Sequence, residues 1–332
     1  MKIPPGWQAP LYPPPGVARN RENGKAWLVS AVVLNWNAAS HTLKCLESLS
    51  RQTYPGSRLE VIVIDNGSRE SIALVQRALE QHRKEKGWKR AEIVCLPSNI
   101  GIPAGYNVGL RHISVNGDAF LRLDNDVVLD SRFIELAAKT MAQSPDIAAL
   151  GGFQRKENGE VTGLPYSVNW KKGGEILPFT PDPRDQLIDC DTIPGCALMI
   201  RRDAIRGMQV VFDSQLWVLH DETDLLIRLQ RAGWRICYLP TAQCIHEGGI
   251  STNRMPEFFR YVTVRNLTLL KRRYAPFLYR MRIYSFLVRT LLRSMSGQDR
   301  IFTRALRDGL IGNPWKPRIT KPLPQRPELE FG

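Results

Sequence analysis

The sequence lacks the features that mark secreted, membrane-spanning and dinucleotide-binding proteins. Its six cysteines form no Cys-x-x-Cys pair, so we expect reduced, mostly buried thiols in a cytosolic compartment. No basic-then-apolar segment opens the chain, and no apolar run is long enough to cross a bilayer, which favours a cytoplasmic location. The turn after the first apolar run has no G-x-G-x-x-G, the fingerprint of dinucleotide-binding sheets.

Acidic residues are scarce in the last quarter of the chain. The 332 residues carry a net charge of +14, and the range 254–332 holds 17 Lys and Arg against 5 Asp and Glu, which is 12 of those 14 charges. With 43% hydrophobic residues, the rest can build one large or two ordinary α/β domains. This distribution indicates a body with its own chemistry and a cationic appendage, and it argues against a surface that wraps nucleic acid.

The chain alternates between strand and helix patterns. After a proline-rich arm at 1–26, we predict strands at 27–34, 59–64, 92–96 and 119–123, with helices at 40–52, 70–86 and up to residue 112 between them. Ser40 is the expected cap of the first helix. This order predicts an α/β fold: a mostly parallel sheet covered by helices on both faces, within a body at 27–253.

Two carboxylates follow the fourth predicted strand. Asp124 and Asp126, one residue apart at a strand end, can share the oxygen shell of a hard divalent cation and leave positions open for phosphate oxygens. The alternative is that Asp124, Asn125 and Asp130 are ordinary turn and cap residues. Ligands of such sheets bind outside the carboxyl ends of the strands, which favours the functional interpretation.

Asp65 and Trp36 follow the second and first strands. A carboxylate at position 65 can accept the imide N–H of uracil or thymine or the N–H groups of guanine, but it can equally close the strand in an Asx-turn beside Gly67. Trp36 is either a core residue or a stacking platform for a base, and its two flanking asparagines favour a ligand.

The second half of the body carries three further features. The range 151–189 has no periodicity and is predicted to be a long loop over the acceptor site. A helix ending at Gly233 begins near Asp221, Glu222 and Asp224, where acids also complement a helix dipole. His246 lies between a strand and a Gly-Gly turn, from which its side chain can reach a site, although a single histidine is more often structural.

Two helices are predicted after residue 254. The first spans 255–274, with Pro256 in its first turn. The second, 277–295, has an apolar stripe, and its arginines lie mostly off that stripe: Arg280, Arg282, Arg289 and Arg293. Such a helix can lie on an anionic membrane surface, or it can pack on the body with its arginines in water.

Taken in order, these motifs resemble those of the family 2 nucleotide-sugar glycosyltransferases, in their rhamnosyltransferase-like branch, over roughly residues 27–274. The resemblance implies a GT-A fold with a C-terminal helical extension. The motifs are Leu34-Asn-Trp-Asn37, Val63-Ile-Asp-Asn-Gly-Ser68, Asn99-Ile-Gly101, Gly105-Tyr-Asn-Val-Gly109, Asp124-Asn-Asp126, Gly195-Cys-Ala-Leu-Met-Ile-Arg-Arg202, Asp221-Glu-Thr-Asp-Leu225 with Arg228 and Gly233, His246 and Arg265-Asn266.

The resemblance also implies roles. Asp65 would recognise the base, Trp36 would stack near it and Asn35 would line the nucleoside pocket. The nucleotide-sugar-binding set is Asn35, Trp36, Asn37, Asp65, Asn99, Gly101, Asn107, Asp124 and Asn125. The Asp124-Asn-Asp126 stretch corresponds to the DxD motif, and Asp124, Asp126 and His246 would hold Mg²⁺ or Mn²⁺. Glu222 stands at the position of the catalytic base, with Asp221 as the alternative.

The implied reaction is an inverting transfer of a sugar from a UDP-, dTDP- or GDP-sugar to a hydroxyl of a polysaccharide, glycolipid or protein glycan. Its alternatives are a catalytically silent module that binds nucleic acid or a membrane through the basic tail, and another nucleotide-using α/β enzyme such as a nucleotidyltransferase or dehydrogenase. The intact acids at 65, 124, 126 and 222 argue against the catalytically silent module. The missing Gly-rich loop after the first strand argues against the other nucleotide-using enzymes.

Overall fold

Four parallel strands form the first half of the sheet. The computed structural model describes residues 26–169, 174–180, 186–248, 256–281, 285 and 300–312. Strands β1 and β2 are buried along their whole length, as their apolar sequences predict, and β1 pairs in parallel with β2 on one side and β4 on the other. These elements are β1 (Val29–Asn35), α1 (Ala39–Ser50), β2 (Leu59–Asp65), α2 (Ala73–Lys86), β3 (Arg90–Cys95), α3 (Ile102–His112) and β4 (Ala119–Asp124).

The second half of the sheet is mixed in direction. Its elements are β5 (Val127–Leu129), α4 (Phe133–Gln143), β6 (Ile147–Arg155), β7 (Val161–Gly163), β8 (Tyr166–Asn169), β9 (Glu175–Pro178), β10 (Ile188–Cys190), β11 (Ala197–Arg201), α5 (Arg202–Ile205), α6 (Asp221–Arg231), β12 (Arg235–His246), α7 (Pro256–Tyr274) and α8 (Arg300–Ile311). The strand order is β10-β12-β6-β11-β4-β1-β2-β3. Strands β6 and β12 are parallel, whereas β11 runs antiparallel to both β4 and β6.

Helices cover both faces of this sheet, as predicted. Alternate residues of β1 enter two different cores: Val29, Ala31 and Val33 pack with α1, α2 and α4, while Val32 and Leu34 pack with α3 and α6. This alternation is what a central parallel strand requires, because each face must be covered. All six cysteines are free, and only Cys95 is exposed, which confirms the prediction of mostly buried thiols.

The starts of the first two helices differ from the prediction. Helix α1 begins at Ala39 without a side-chain cap, and Ser40 is exposed inside its first turn, so the predicted cap was wrong. The carboxylate of Glu70 instead accepts the Ala39 N–H at 2.6 Å. Glu70 lies in the loop before α2, which begins at Ala73 and not at the predicted residue 70. A contact across 31 residues replaces the local cap that the sequence suggested.

The range 151–189 is not one long loop, and that prediction was wrong. Strand β6 continues to Arg155, and β7, β8, β9 and β10 follow it. Strands β8 and β9 form a separate antiparallel pair, in which Tyr166 lies opposite Pro178. These strands have three or four residues each, which is too short for a period of two to stand out in the sequence.

Helix α7 is bonded to the body through a buried carboxylate. Asp224 of α6 accepts from Arg273 at 2.9 Å and from the Tyr274 hydroxyl at 2.7 Å, and Arg228 pairs with its other oxygen at 3.0 Å. All but the last residue of the predicted arm at 1–26, most of the predicted helix at 277–295 and the end of the tail lie outside the described residues. The three-part division therefore stays a prediction. In the part of the chain that the structure describes, no helix combines the length and apolar character needed to cross a bilayer.

We predict that Asp224→Ala strongly destabilises the protein. The change leaves Arg228 and Arg273 without their shared buried carboxylate, so the free energy of unfolding should fall by about 3–5 kcal/mol, as measured by urea denaturation. The control is Glu80→Ala, which breaks ion pairs of a half-exposed glutamate on α2 and should cost less than about 1 kcal/mol. Equal losses in the two variants would show that Asp224 does not hold α7 in place.

Candidate active site

The carboxyl ends of β1, β2 and β4 bring the predicted polar residues together. Asn35 lies opposite Asp65 in the β1–β2 register, and Asp124 lies opposite Leu34. The clusters that follow these strands in the sequence therefore share one edge of the sheet, as the parallel arrangement predicts.

Asp65 is buried and hydrogen-bonded to Asn35 at the end of β1 and to Ser68 in the loop after β2. Its Oδ1 accepts from the Asn35 amide at 2.8 Å and from the Ser68 hydroxyl, and its Oδ2 accepts from the Ser68 N–H at 3.3 Å. The carboxylate thus closes its own loop, as the alternative interpretation required, but through the N–H three residues on and not through the one two residues on that defines an Asx-turn. A carboxylate aligned by three donors is also a pre-oriented acceptor for a ligand N–H.

Asn35, Asn37 and Asn125 connect the loops around this network. The buried Asn35 accepts from Thr42 at 2.7 Å, and the Asn125 amide donates to Thr42 at 3.1 Å. Asn37 has a left-handed backbone (φ 49°). Its N–H donates to the Ser68 hydroxyl, and its side-chain oxygen accepts the Arg69 N–H at 2.7 Å. Trp36 between them is half-buried, so it is not a core residue.

The loop between β3 and α3 contacts the segment before α6. Asn99 accepts the Gly101 N–H at 2.8 Å. Gly101 has φ 89°, and a Cβ added there would lie 2.9 Å from the Trp217 indole, so no larger residue fits. Asn107 has both amide atoms bonded to the backbone of Phe212, which makes it an anchor of that loop; its contact with a nucleotide stays a prediction.

Asp124, Asp126 and His246 form the candidate metal site. One ligand atom from each lies within 4.8 Å of the other two. Strand β12 pairs His246 with Val127 of β5, which places the imidazole Nε2 3.5 Å from Asp126 Oδ1. Two carboxylates and one imidazole fit a divalent cation such as Mn²⁺ or Mg²⁺, with room left for other oxygen ligands.

The electrostatics of this cluster also favour a cation. Burial raises the pKa of Asp124, with Arg122 opposing the shift and Asp126 adding to it. Burial acts to lower the pKa of His246, but the hydrogen bond and charge of Asp126 outweigh it and raise that pKa to about 9. The same contact with His246 outweighs the burial of Asp126 and lowers the Asp126 pKa. An imidazolium therefore partly compensates the two carboxylates at neutral pH when no metal ion is bound.

Arg122 was missed by the sequence interpretation. It lies on β4 two residues before Asp124, is 4% exposed, and its Nη1 lies 2.6 Å from Asp221 Oδ2 and 3.9 Å from Glu222 Oε2. Its guanidinium also lies over the Tyr106 ring, 4.6 Å from the centroid. An arginine in an otherwise apolar strand was the available signal, because charged residues are rarely buried without a partner.

Glu222 is more exposed than Asp221 and has a raised pKa. Asp221 is fully buried, whereas the Glu222 side chain is 16% exposed. Burial, and then the charge of Asp221, raise the Glu222 pKa to about 7 against the opposing Arg122. Gly195 leaves the room for this arrangement, since a Cβ added there would lie 3.0 Å from Glu222 and 3.1 Å from Arg122.

The backbone before α6 is strained. Trp217 (φ 60°, ψ −53°) is the centre of a γ-turn of the rare positive-φ form, closed by the Val218 N–H donating to Leu216 O at 2.7 Å. Leu219 and His220 are also left-handed, each with φ 65°. Such residues cost about 1–3 kcal/mol each and gather at functional sites. No sequence signal marked them, because Trp and Leu rarely adopt positive φ and one histidine, although more tolerant, does not indicate it.

Comparisons with known proteins identify the family. The model of glycosyl transferase family 2 matches residues 30–208, which include Asp65, Asp124 and Asp126 and end before Asp221. An N-acetylglucosaminyltransferase of Mesorhizobium japonicum is 28% identical over 237 residues, 69% of this chain and 53% of that protein, so the chain spans about half of that relative.

A second relative and a solved structure extend the comparison, the structure for the fold alone. An N-acetylglucosaminyl-diphospho-decaprenol L-rhamnosyltransferase of Mycobacterium tuberculosis is 24% identical over 69% of this chain and 79% of its own length. The structure of a mannosyltransferase from Pyrobaculum calidifontis, in complex with GDP-Man and Mn²⁺, superposes with a TM-score of 0.54 at 15% identity over 88% of both chains. The GT-A fold is confirmed, and since the family model covers more than half of its residues, the chain belongs to glycosyl transferase family 2.

Proposed function

We propose that this protein is an inverting, metal-dependent transferase that moves a sugar from a nucleoside-diphosphate sugar to an acceptor hydroxyl. The observation that carries the proposal is a single cluster: Asp124, Asp126 and His246 lie at the end of β4, and Arg122 of the same strand contacts both Asp221 and Glu222. Strand β4 thus carries part of the candidate cation site and contacts the candidate base on α6, which is the arrangement that a displacement at an anomeric carbon needs.

The donor is proposed to bind along the edge formed by β1, β2 and β3. The pre-oriented Asp65 carboxylate would accept N–H groups of the base, and the half-buried Trp36 would stack near it. Asn35, Asn37 and the Asn99–Gly101 loop would line the nucleoside pocket. A UDP-, dTDP- or GDP-sugar is compatible with this set, and the mannosyltransferase from Pyrobaculum calidifontis binds GDP-Man.

Asp124, Asp126 and His246 would hold Mg²⁺ or Mn²⁺. When bound, the cation would neutralise the charge that develops on the diphosphate as it leaves. Tyr106 fixes one of these ligands, because its hydroxyl donates to Asp124 Oδ1 at 2.6 Å. Asn125, between the two carboxylates in sequence, donates to Thr42 on α1 and so holds the turn that presents them.

Glu222 is proposed as the general base. The acceptor oxygen forms a bond to the anomeric carbon, its proton moves to the Glu222 carboxylate, and the bond to the diphosphate breaks with its electron pair leaving on the nucleoside diphosphate. One displacement inverts the anomeric centre. A carboxylate with a pKa raised to about 7 is a stronger proton acceptor than an ordinary glutamate, while much of it is ionised at neutral pH. Asp221, buried and paired with Arg122, positions Glu222.

The acceptor is proposed to be a glycan or a lipid-linked glycan at the cytoplasmic face of the cell membrane. The named activity of the Mycobacterium tuberculosis relative involves a decaprenol-linked sugar. Phe277, Leu278 and Met281 are exposed next to Arg280 in this chain. Apolar side chains beside a basic tail suit an anionic bilayer surface.

We predict that nucleoside diphosphate binding requires the divalent cation. Calorimetry with UDP, dTDP and GDP should show binding with Mn²⁺ or Mg²⁺ that is lost with a chelator, and Asp126→Ala should remove both the metal dependence and turnover. The control is Asp130→Ala, which removes an exposed carboxylate after β5 and should change neither. Equal affinity with and without chelator would exclude the metal site.

We predict that Glu222→Gln abolishes most transfer while the donor still binds. The amide keeps the size of the side chain but cannot accept a proton, so the transfer rate should fall by roughly two to four orders of magnitude. Asp221→Asn, which keeps a partner for Arg122, should cost less. Product formation and donor affinity measure the two effects, and NMR of the product shows its anomeric configuration.

The wild-type pH profile tests the same assignment. Since Glu222 accepts a proton only when ionised, the wild-type rate should fall as the pH drops through about 7. Near-normal turnover of Glu222→Gln, or retention of configuration in the product, would contradict the assignment.

We predict that the exposed patch at 277–281 binds anionic vesicles. Co-sedimentation with phosphatidylglycerol vesicles should exceed that with phosphatidylcholine and weaken with salt. It should also weaken in a variant that combines Phe277→Ser and Leu278→Ser. The control is Val115→Ser, at another exposed apolar residue. Sedimentation that ignores both salt and the patch variant would favour a helix packed on the body.

A further inference from the structure

Four backbone carbonyls in the segment before α6 accept hydrogen bonds from two adjacent residues of α7, Arg265 and Asn266. The Asn266 amide Nδ2 lies 2.9 Å from Leu216 O, 2.8 Å from Val218 O and 2.9 Å from Leu219 O. The Arg265 guanidinium donates to Gln215 O at 2.6 Å. Asn266 is fully buried, and its hydrogen bond to Leu216 O is buried as well.

The orientation of the Asn266 amide is fixed by its other partner. Its Oδ1 accepts from Arg265 Nη1 at 2.8 Å, and the opposite side of the amide faces only carbonyl oxygens. An amide turned the other way would place an acceptor against three acceptors, so the donor must point at the turn. Two amide hydrogens serve three carbonyls, which requires at least one shared hydrogen bond.

The carbonyls point this way because of the unusual backbone. In an extended chain, successive carbonyls point to alternate sides. The positive φ angles at Trp217, Leu219 and His220 rotate the peptide groups so that several carbonyls point to the same side, towards Asn266. Without Asn266, the Leu216 carbonyl would keep only the Val218 N–H, and the carbonyls of the half-buried Val218 and Leu219 would lose the amide donor that they face. The segment would then relax to an ordinary conformation. Asn266 therefore selects the strained conformation.

The strained conformation determines where α6 begins. His220, the last left-handed residue, is followed directly by Asp221 and Glu222, and its carbonyl accepts the Asp224 N–H at 3.0 Å. On the other side, the Trp217 carbonyl accepts the Ile102 N–H at 2.8 Å and its ring contacts Gly101. One turn thus joins the candidate donor loop to the candidate base.

We propose that Asn266 is a positioning residue of the transfer reaction: by holding the 216–220 turn, it sets the place of Glu222. This inference rests on the proposed role of Glu222, but the hydrogen bonds to the turn do not. Asn266 acts through the turn and touches no substrate.

Docking of α7 is a separate matter. Asp224 binds the C-terminal end of α7 through Arg273 and Tyr274. Tyr261 near the other end donates to Asp308 of α8 at 2.7 Å. A variant of Tyr261 can therefore weaken the packing of α7 without changing the donors that face the turn.

The test compares Asn266→Ala, which removes the donors, and Asn266→Ser, which keeps one hydroxyl donor, with Tyr261→Phe as the matched control on the same helix. Hydrogen–deuterium exchange is measured on peptides that cover 214–224, together with kcat, the KM for the donor and the pH profile. Asn266→Ala should increase exchange in this segment and lower kcat by about tenfold or more, with the donor KM within about twofold. Asn266→Ser should lie between it and the wild type.

The control separates positioning from folding. Tyr261→Phe should keep both the exchange of 214–224 and kcat, even where its melting temperature falls as far as that of an Asn266 variant. Unchanged exchange in Asn266→Ala, an equal loss of kcat in Tyr261→Phe, or a rise in KM at constant kcat would each overturn the inference.

Failure of the proposed function gives a different result. A wild-type protein that binds no nucleoside diphosphate and transfers no sugar refutes that function. The exchange comparison, which needs no substrate, still decides whether Asn266 holds the turn.

Discussion

The buried ion pair between Arg122 and Asp221 connects the two halves of the site. Arg122 belongs to the strand that ends at Asp124, and Asp221 begins the helix that carries Glu222, 99 residues further along the chain. Buried pairs of this kind gain little net stability against apolar residues, but the loss of one partner leaves an uncompensated charge at a cost of about 3–5 kcal/mol. The pair therefore fixes a distance more than it stabilises the fold. Burial, and then the charge of Asp221, raise the pKa of the neighbouring Glu222, and Arg122 opposes this rise only in part.

The sequence predicts those parts of the site that depend on one strand and the turn after it. The apolar runs of β1, β2 and β4 end at Asn35, Asp65 and Asp124, and the parallel sheet brings these ends to one edge. The approach of His246 to Asp126 depends on the antiparallel pairing of β5 with β12, which no local pattern indicates. The γ-turn at Trp217 was equally inaccessible, because distant hydrogen bonds impose it on residues that do not favour it. Ser40 failed as a cap for the same reason, since Glu70 had taken the role.

The two interpretations of Asp65 are compatible in the structure. Donors from Asn35 and Ser68 hold the carboxylate in the turn, and a carboxylate has lone pairs left for a further donor. The Asp65 carboxylate can therefore close the loop after its strand and also accept a hydrogen bond from a ligand. Asp224 also has two roles, because it complements the dipole of α6 and binds α7. Charge patterns at strand and helix ends therefore indicate position well and role poorly.

The interleaved order of the strands has a consequence for the growing chain. Strands β1 to β4 can pair as soon as residue 124 has been synthesised, but β11, the neighbour that completes the other side of β4, lies more than 70 residues later. The Asp124 N–H has its partner in the Cys196 carbonyl, and the imidazole at 246 and the partners of Asp224 at 273 and 274 follow later still. A nascent chain can therefore bury a parallel half-sheet early. The carboxylates of the site lack some of their partners until translation has passed Tyr274. Competence for chemistry is thus acquired only after the chain has been made as far as Tyr274.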